Sequence, residues 1–163
     1  YVSALVVTND VSARDVQLTK MQFFESKSYP SFTPVGPALV VVDADELKRF
    51  GDLRLQLRVN GEVRQDMIVE GDILYSPLQA LQALTKFQKL EAGDIVLTGT
   101  PVGTALTTHG IAPKGDIDIL AFLSAQAENN PNYLHHGDVV EATVATDDGV
   151  INLGTQRNKV VYA

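Results

Sequence analysis

The 163-residue chain has no cysteine. That excludes a disulfide framework, a thiolate metal site and a cysteine nucleophile. It fits a reducing compartment, and a cytoplasmic location is the expectation. Basic charge is also scarce: 13 Lys and Arg against 20 Asp and Glu leave a formal net charge of −7. Nucleic acids and anionic membranes select basic patches, so neither is expected as a partner. No apolar run reaches the ~20 residues that span a bilayer. A basic-then-apolar leader and an initiator methionine are absent too, and the chain opens directly on the apolar run Tyr1–Val7. A domain normally begins with a poorly ordered or polar segment, so an N-terminally truncated chain is expected.

What is present is ordinary for one globular domain over residues 1–163: 45% hydrophobic and 20% charged residues, with enough length to bury a core. Residues 1–8 read as a short buried strand. Ser12 and Asp15 have the spacing of a capping box, which places a helix start at Ser12. Pro30, Pro34 and Pro37 interrupt regular structure before a strand over Pro37–Val42. Leu53, Leu55, Leu57 and Val59 alternate with Arg54, Gln56 and Arg58, the pattern of a one-sided strand. Asn60-Gly61 then marks a hairpin with its return strand over Glu62–Asp66. Ser76-Pro77 opens a helix carrying Leu78, Leu81, Leu84 and Phe87, the main helix of the chain. Strands are expected at Ile95–Thr98 and Val139–Val144, with a turn at Asp147-Asp148-Gly149 and a return over Val150–Leu153. Several short strands around one good helix predict an α+β fold, mostly β, with a mixed, curved sheet. Residues 105–135 read as an insertion or lid, in which Ile117, Ile119, Leu120, Phe122 and Leu123 form an apolar cluster suited to a short amphipathic helix.

The polar residues that carry chemistry gather early in the chain, in Asn9-Asp10-Val11-Ser12-Ala13-Arg14-Asp15-Val16-Gln17. Asp10, at the end of a strand, reads locally either as a ligand for a hard divalent ion or as a cap for the helix containing Arg14. Arg14 and Gln17 are three apart and share a helix face, where a guanidinium fork and an amide suit a substrate carboxylate. An Asp10–Arg14 ion pair on a solvated surface is the other local reading. Lys27 reads either as a surface lysine or as a cation stabilising developing negative charge. Thr98-Gly99-Thr100-Pro101 ends a strand in a turn where glycine lets the main chain approach a ligand closely. His109, His135 and His136 have no metal-ligand spacing and are expected in loops, outside the roles of base or ligand.

The Asn-Asp-x-Ser-Ala-Arg-Asp-x-Gln segment, Lys27-Ser28-Tyr29 and the Gly99-Thr100 pair occur here in an order that resembles the fumarylacetoacetate hydrolase family. The resemblance covers most of the chain and weakens between about Ala105 and Asn132. It implies a β-roll catalytic domain that uses Asp10 as a ligand of Mg2+ (or Mn2+ or Ca2+) and Lys27 as an active-site residue. It further implies that Arg14, Gln17 and Thr100 bind substrate. Ser31 stands where many relatives have a threonine near the metal. Family members add two carboxylates from a Glu-x-Glu motif and a water-activating histidine or glutamate, all upstream; this chain contains no Glu-x-Glu. The implied activity is metal-dependent hydrolysis or lysis of a carbon–carbon bond in a small 2-oxo or 1,3-dicarbonyl carboxylic acid. Substrates would be acylpyruvate-like or fumarylacetoacetate-like, and the enzyme a homodimer. The alternatives are an isomerase or decarboxylase of the 2-hydroxy-dienedioate type, or a non-catalytic scaffold that keeps the fold.

Overall fold

The alternation of Leu53, Leu55, Leu57 and Val59 builds the central strand of the molecule. A computed structural model describes residues 2–20, 23–106 and 130–162. In chain order the elements are β1 (Ala4–Leu5), α1 (Arg14–Lys20), α2 (Phe24–Lys27), β2 (Val40–Val41) and α3 (Ala44–Lys48). A 3-10 turn over Arg49–Asp52 leads into β3 (Leu53–Val59) and β4 (Glu62–Ile68), followed by α4 (Pro77–Leu84), β5 (Val139–Thr146) and β6 (Asn152–Lys159). The last four strands form one sheet in the order β4-β3-β5-β6, and β1 pairs separately with β2. Every one of these pairings is antiparallel. The fold is the expected α+β type, mostly sheet with few helices.

The core lies against the apolar face of this sheet. Val7, Leu53, Ala142, Val144, Ile151 and Leu153 form its buried cluster, with Leu5, Val40, Phe50, Leu55 and Val69 packed around it. Residue alternation accounts for the face, because strand side chains point to opposite sides in turn. Asn60 (φ 52°) and Gly61 (φ 86°) make the hairpin turn between β3 and β4. The Asn60 side chain also donates to Asp138 at 2.8 Å and accepts from the Val139 amide at 2.9 Å, so one turn fixes the registers of three strands. At the opposite end, Thr146 and Gly149 close the expected Asp147-Asp148-Gly149 turn.

A β-bulge interrupts β4. Leu57 pairs with Gln65 and Arg58 with Val63, so Arg64 has no partner residue on β3. A bulge re-aims the side chains beside it. Gln65 is accordingly the one residue of β4 that is buried.

Four expectations need correction. Ser12 does not cap α1; its hydroxyl donates to the Asp10 carbonyl at 3.2 Å, and the helix starts two residues later at Arg14. Ile95–Thr98 forms no strand, because no strand among the described residues lies alongside it. The expected strands over residues 1–8 and Pro37–Val42 shrink to two paired residues each, plus a Thr8–Val35 bridge; Pro34 and Pro37 carry no donor for a longer ladder. An unforeseen helix, α3, is capped by Asp43, which accepts from the Asp45 and Glu46 amides while Glu46 returns a bond to the Asp43 amide.

The helix at Ser76-Pro77 does form, with the Ser76 hydroxyl and the Gln79 side chain in a capping box. It buries none of its residues, and Leu78 and Phe87 are largely exposed. No helix of the described residues is long and apolar enough to cross a membrane. The apolar cluster between Ile117 and Leu123 lies outside the described residues, as does His109.

Candidate functional site

The site is assembled where the first strand hands over to α1 and α2. Val7 is 2% exposed and anchors the strand in the core. Asn9 is held to the Pro34 carbonyl at 3.3 Å, so the chain leaves the core at a fixed point and Asp10 emerges at the surface. The Ala13 amide then donates to the Ser26 carbonyl at 2.8 Å, which ties the start of α1 to α2. Ser26 is fully buried, and its hydroxyl donates to the Phe23 carbonyl at 2.9 Å. These links place Lys27, the last residue of α2, against Asp10.

Two polar pairs result. The Lys27 ammonium forms an ion pair with the Asp10 carboxylate, and both side chains are about one-third exposed. The Arg14 guanidinium donates to the side-chain oxygen of Gln17, as their spacing on one helix face predicts. Gln17 is 4% exposed and Arg14 is half-buried, so Gln17 holds the guanidinium from the inner side. Neither local alternative for Asp10 occurs: its carboxylate engages Lys27, and it neither caps α1 nor pairs with Arg14.

The other sequence candidates lie apart from these contacts. Thr100 sits on the segment after Asp94, where its hydroxyl accepts from the Gln65 amide at 3.4 Å. No bond among the described residues joins it to either pair. Ser31 is exposed, with φ 67°, in the turn closed by the Phe32 amide and the Tyr29 carbonyl. No hydrogen bond links it to Asp10. The His136 Nδ1 accepts from the Tyr162 amide at 3.1 Å and the ring packs edge-on against Tyr162. The His135 amide donates to Asp138 at 2.7 Å. Both histidines thus serve the turn before β5, as expected of loop residues.

Three residues near the site escaped the sequence reading. Gln65 fastens the Thr98–Gly103 segment to β4, and Gln156 fastens the strand leading to Asp10. The third is Tyr133, whose hydroxyl is buried without a hydrogen-bond partner among the described residues. Burial raises the pKa of its phenol, the Arg14 charge opposes that rise, and Asp15 adds to it. Tyr133 therefore stands within electrostatic reach of Arg14. Neither Gln65, whose inward position follows from the bulge, nor Tyr133 carried a signal in the sequence.

As a metal site, the arrangement is incomplete. A hard divalent ion takes six or more oxygen ligands, usually from several carboxylates and waters. Among the described residues no group of three or more His, Asp or Glu side chains could hold one. Asp10 offers a single carboxylate of the right chemistry, already neutralised by Lys27.

The fold and these contacts define a mostly-β α+β domain with a carboxylate–ammonium pair and a guanidinium–amide pair at adjacent helix ends. The family model for the fumarylacetoacetate (FAA) hydrolase C-terminal domain matches residues 1–161, and the chain belongs to the fumarylacetoacetate hydrolase family. It is 33% identical over 144 residues to an oxaloacetate tautomerase, YisK, of Bacillus subtilis, covering 88% of this chain and 40% of that protein. Among solved structures it resembles a 5-carboxymethyl-2-hydroxymuconate delta-isomerase from Mycobacterium smegmatis, with TM-score 0.69 and 28% identity over 99% of this chain and 49% of the other. It also resembles a fumarylacetoacetate hydrolase from the psychrophilic Exiguobacterium antarcticum, with TM-score 0.66 and 31% identity over 96% of this chain and 46% of the other. The chain spans about half the length of the relatives it matches.

Proposed function

We propose that this chain is the catalytic part of an enzyme that forms an enolate from a small 2-oxo or 1,3-dicarbonyl carboxylic acid and cleaves a carbon–carbon bond. The observation that carries the reading is the pairing of Asp10 with Lys27 beside Arg14 with Gln17. In a chain of net charge −7, two cationic groups are brought to adjacent helix ends with polar partners that fix their orientation. Arg14 presents a planar fork suited to a carboxylate, and Gln17 keeps it in place. The family resemblance implies that Thr100, which lies apart from both pairs, would contribute a hydroxyl to the same end of the substrate. Lys27 places an ammonium where negative charge develops on the enolate oxygen. Water supplies oxygen to the departing acyl carbon, the electrons of the broken bond pass to the enolate, and a proton then returns to its carbon. Asp10 would be one ligand of a magnesium-type ion, with the rest of the ligand set outside the described residues. When bound, such an ion supplies Lewis-acid polarisation of the 2-oxo group.

A second reading is isomerisation or tautomerisation of a 2-oxo or 2-hydroxy-diene acid. The similarity to a tautomerase and a delta-isomerase supports it, since both reactions named there shift a proton next to a carbonyl. Both readings require the enolate. In the whole natural polypeptide containing this chain, deuterium uptake at C3 of a 2-oxo acid in D2O should therefore be rapid, and should fall sharply in Asp10→Ala and Lys27→Met. Release of pyruvate from an acylpyruvate separates cleavage from tautomerisation. Unchanged exchange in both variants would defeat the site assignment, and no exchange above the uncatalysed rate in the parent would favour a scaffold domain that has kept the fold.

A further inference from the structure

We infer that Gln65 is a positioning residue, holding Thr100 and its loop in the geometry that meets the substrate carboxylate. The inference rests on the proposed role of Thr100 and concerns a residue 35 positions away from it. Gln65 is 8% exposed and is turned off the sheet by the bulge at Arg64. Its amide nitrogen faces three acceptors of one segment: the Pro101 carbonyl at 2.8 Å, the Val102 carbonyl at 3.2 Å and the Thr100 hydroxyl oxygen at 3.4 Å. An amide has two hydrogens, so these bonds are shared, and the short bond to Pro101 dominates.

The loop has little freedom to dock otherwise. Gly103 has φ 95°, and a Cβ placed there would collide with the Arg64 carbonyl, so the segment runs flush against the bulged strand. Arg64 is itself tethered to Asn132 at 2.9 Å, and Asn130 reaches the Ala105 carbonyl at 2.6 Å. Gln65 is the side chain at the centre of this junction. The direction of its bond to Thr100 has a chemical consequence. The threonine oxygen accepts in this contact, so its own hydrogen remains available to donate, the polarity an anionic oxygen requires.

The test is a double-mutant cycle on oxalate affinity, measured by calorimetry in the presence of magnesium on the whole natural polypeptide. Thr100→Val should weaken oxalate roughly tenfold, as expected for loss of a hydrogen bond to a charged group. Gln65→Met should weaken it by a similar factor. The double variant should be within about twofold of Thr100→Val, since Gln65 acts through Thr100. Should Gln65→Met not fold, Gln65→Asn keeps an uncharged amide, withdraws it from the segment by one methylene, and completes the same cycle. A loss with Thr100→Val but none at Gln65, or losses that multiply independently, would overturn the inference and leave the role of Thr100 standing. No loss with Thr100→Val would overturn that role, and the inference with it.

Discussion

Replacing Gln156 by methionine is the sharpest test of how the strand leading to Asp10 is held. Gln156 is 6% exposed on β6, and its amide nitrogen donates to the carbonyls of Val7 at 3.2 Å, Pro34 at 3.0 Å and Gly36 at 3.0 Å. One side chain therefore ties the sheet to both segments flanking the candidate site. The three acceptors are not equally dependent on it. The Val7 carbonyl also accepts from the Gly36 amide at 3.0 Å, and the Pro34 carbonyl from the Asn9 amide at 3.3 Å. Only the Gly36 carbonyl would lose its sole donor among the described residues. Methionine also removes the buried Gln156 side-chain oxygen, which has no partner among the described residues, and that relief offsets part of the loss. With one carbonyl orphaned, the expected cost is about 2 kcal/mol, within the ~1–3 kcal/mol for an unsatisfied buried group. For a chain of this size that corresponds to a fall of about 4–8 °C in thermal midpoint, read by circular dichroism. A variant as stable as the parent, or more stable, would refute the claim that Gln156 holds these segments together.

Gly103→Ala should destabilise by about 3 kcal/mol or more, because it combines a left-handed backbone with a collision against main-chain atoms of Arg64; a midpoint within 1–2 °C of the parent would contradict the docking of this loop. Stability should also decline on the acid side. The Thr146 hydroxyl, the Val150 amide and Arg49 hold Asp148 at about 2, below its ordinary 3.8, and Arg54 lowers Asp147 and Asp66. Their folded values lie below the unfolded ones. Their contribution is therefore complete above about pH 4 and fades as pH falls toward 2. Thermal midpoints across that window should drop in the parent and drop less in Arg49→Met, and a flat profile would contradict the pairing.

The parts of the fold that local chemistry determines were legible. Asn60-Gly61 marks its hairpin because the turn needs positive φ at both positions, and alternation along Leu53–Val59 marks the strand before it. Ser76 and Pro77 mark a helix start for equally local reasons. The helix of Ala44–Lys48 was missed because its signal is a capping box on a charged segment with no apolar period to draw attention. Ile95–Leu97 shows the converse: an apolar run has strand character only when a neighbour supplies hydrogen bonds, and none of the described strands does. The candidate site divides in the same way. Arg14 and Gln17 meet through helical spacing, so their contact was readable. Asp10 and Lys27 are 17 residues apart and meet only because Ser26 and Ala13 join two helix ends. Gln65 and Gln156 read as ordinary polar strand residues until the bulge and the long-range carbonyls are seen.

The central claim is that Asp10 helps to bind a divalent ion together with the carboxylate end of an enolate-forming substrate. The most direct test is the thermal midpoint of the whole natural polypeptide with magnesium, with and without oxalate as an enolate mimic, for the parent and Asp10→Asn. At about 100 times its dissociation constant a ligand stabilises the native state by ~2.7 kcal/mol, which should raise the parent midpoint by about 5 °C or more and leave Asp10→Asn unmoved. No rise in the parent, or an equal rise in Asp10→Asn, would contradict it.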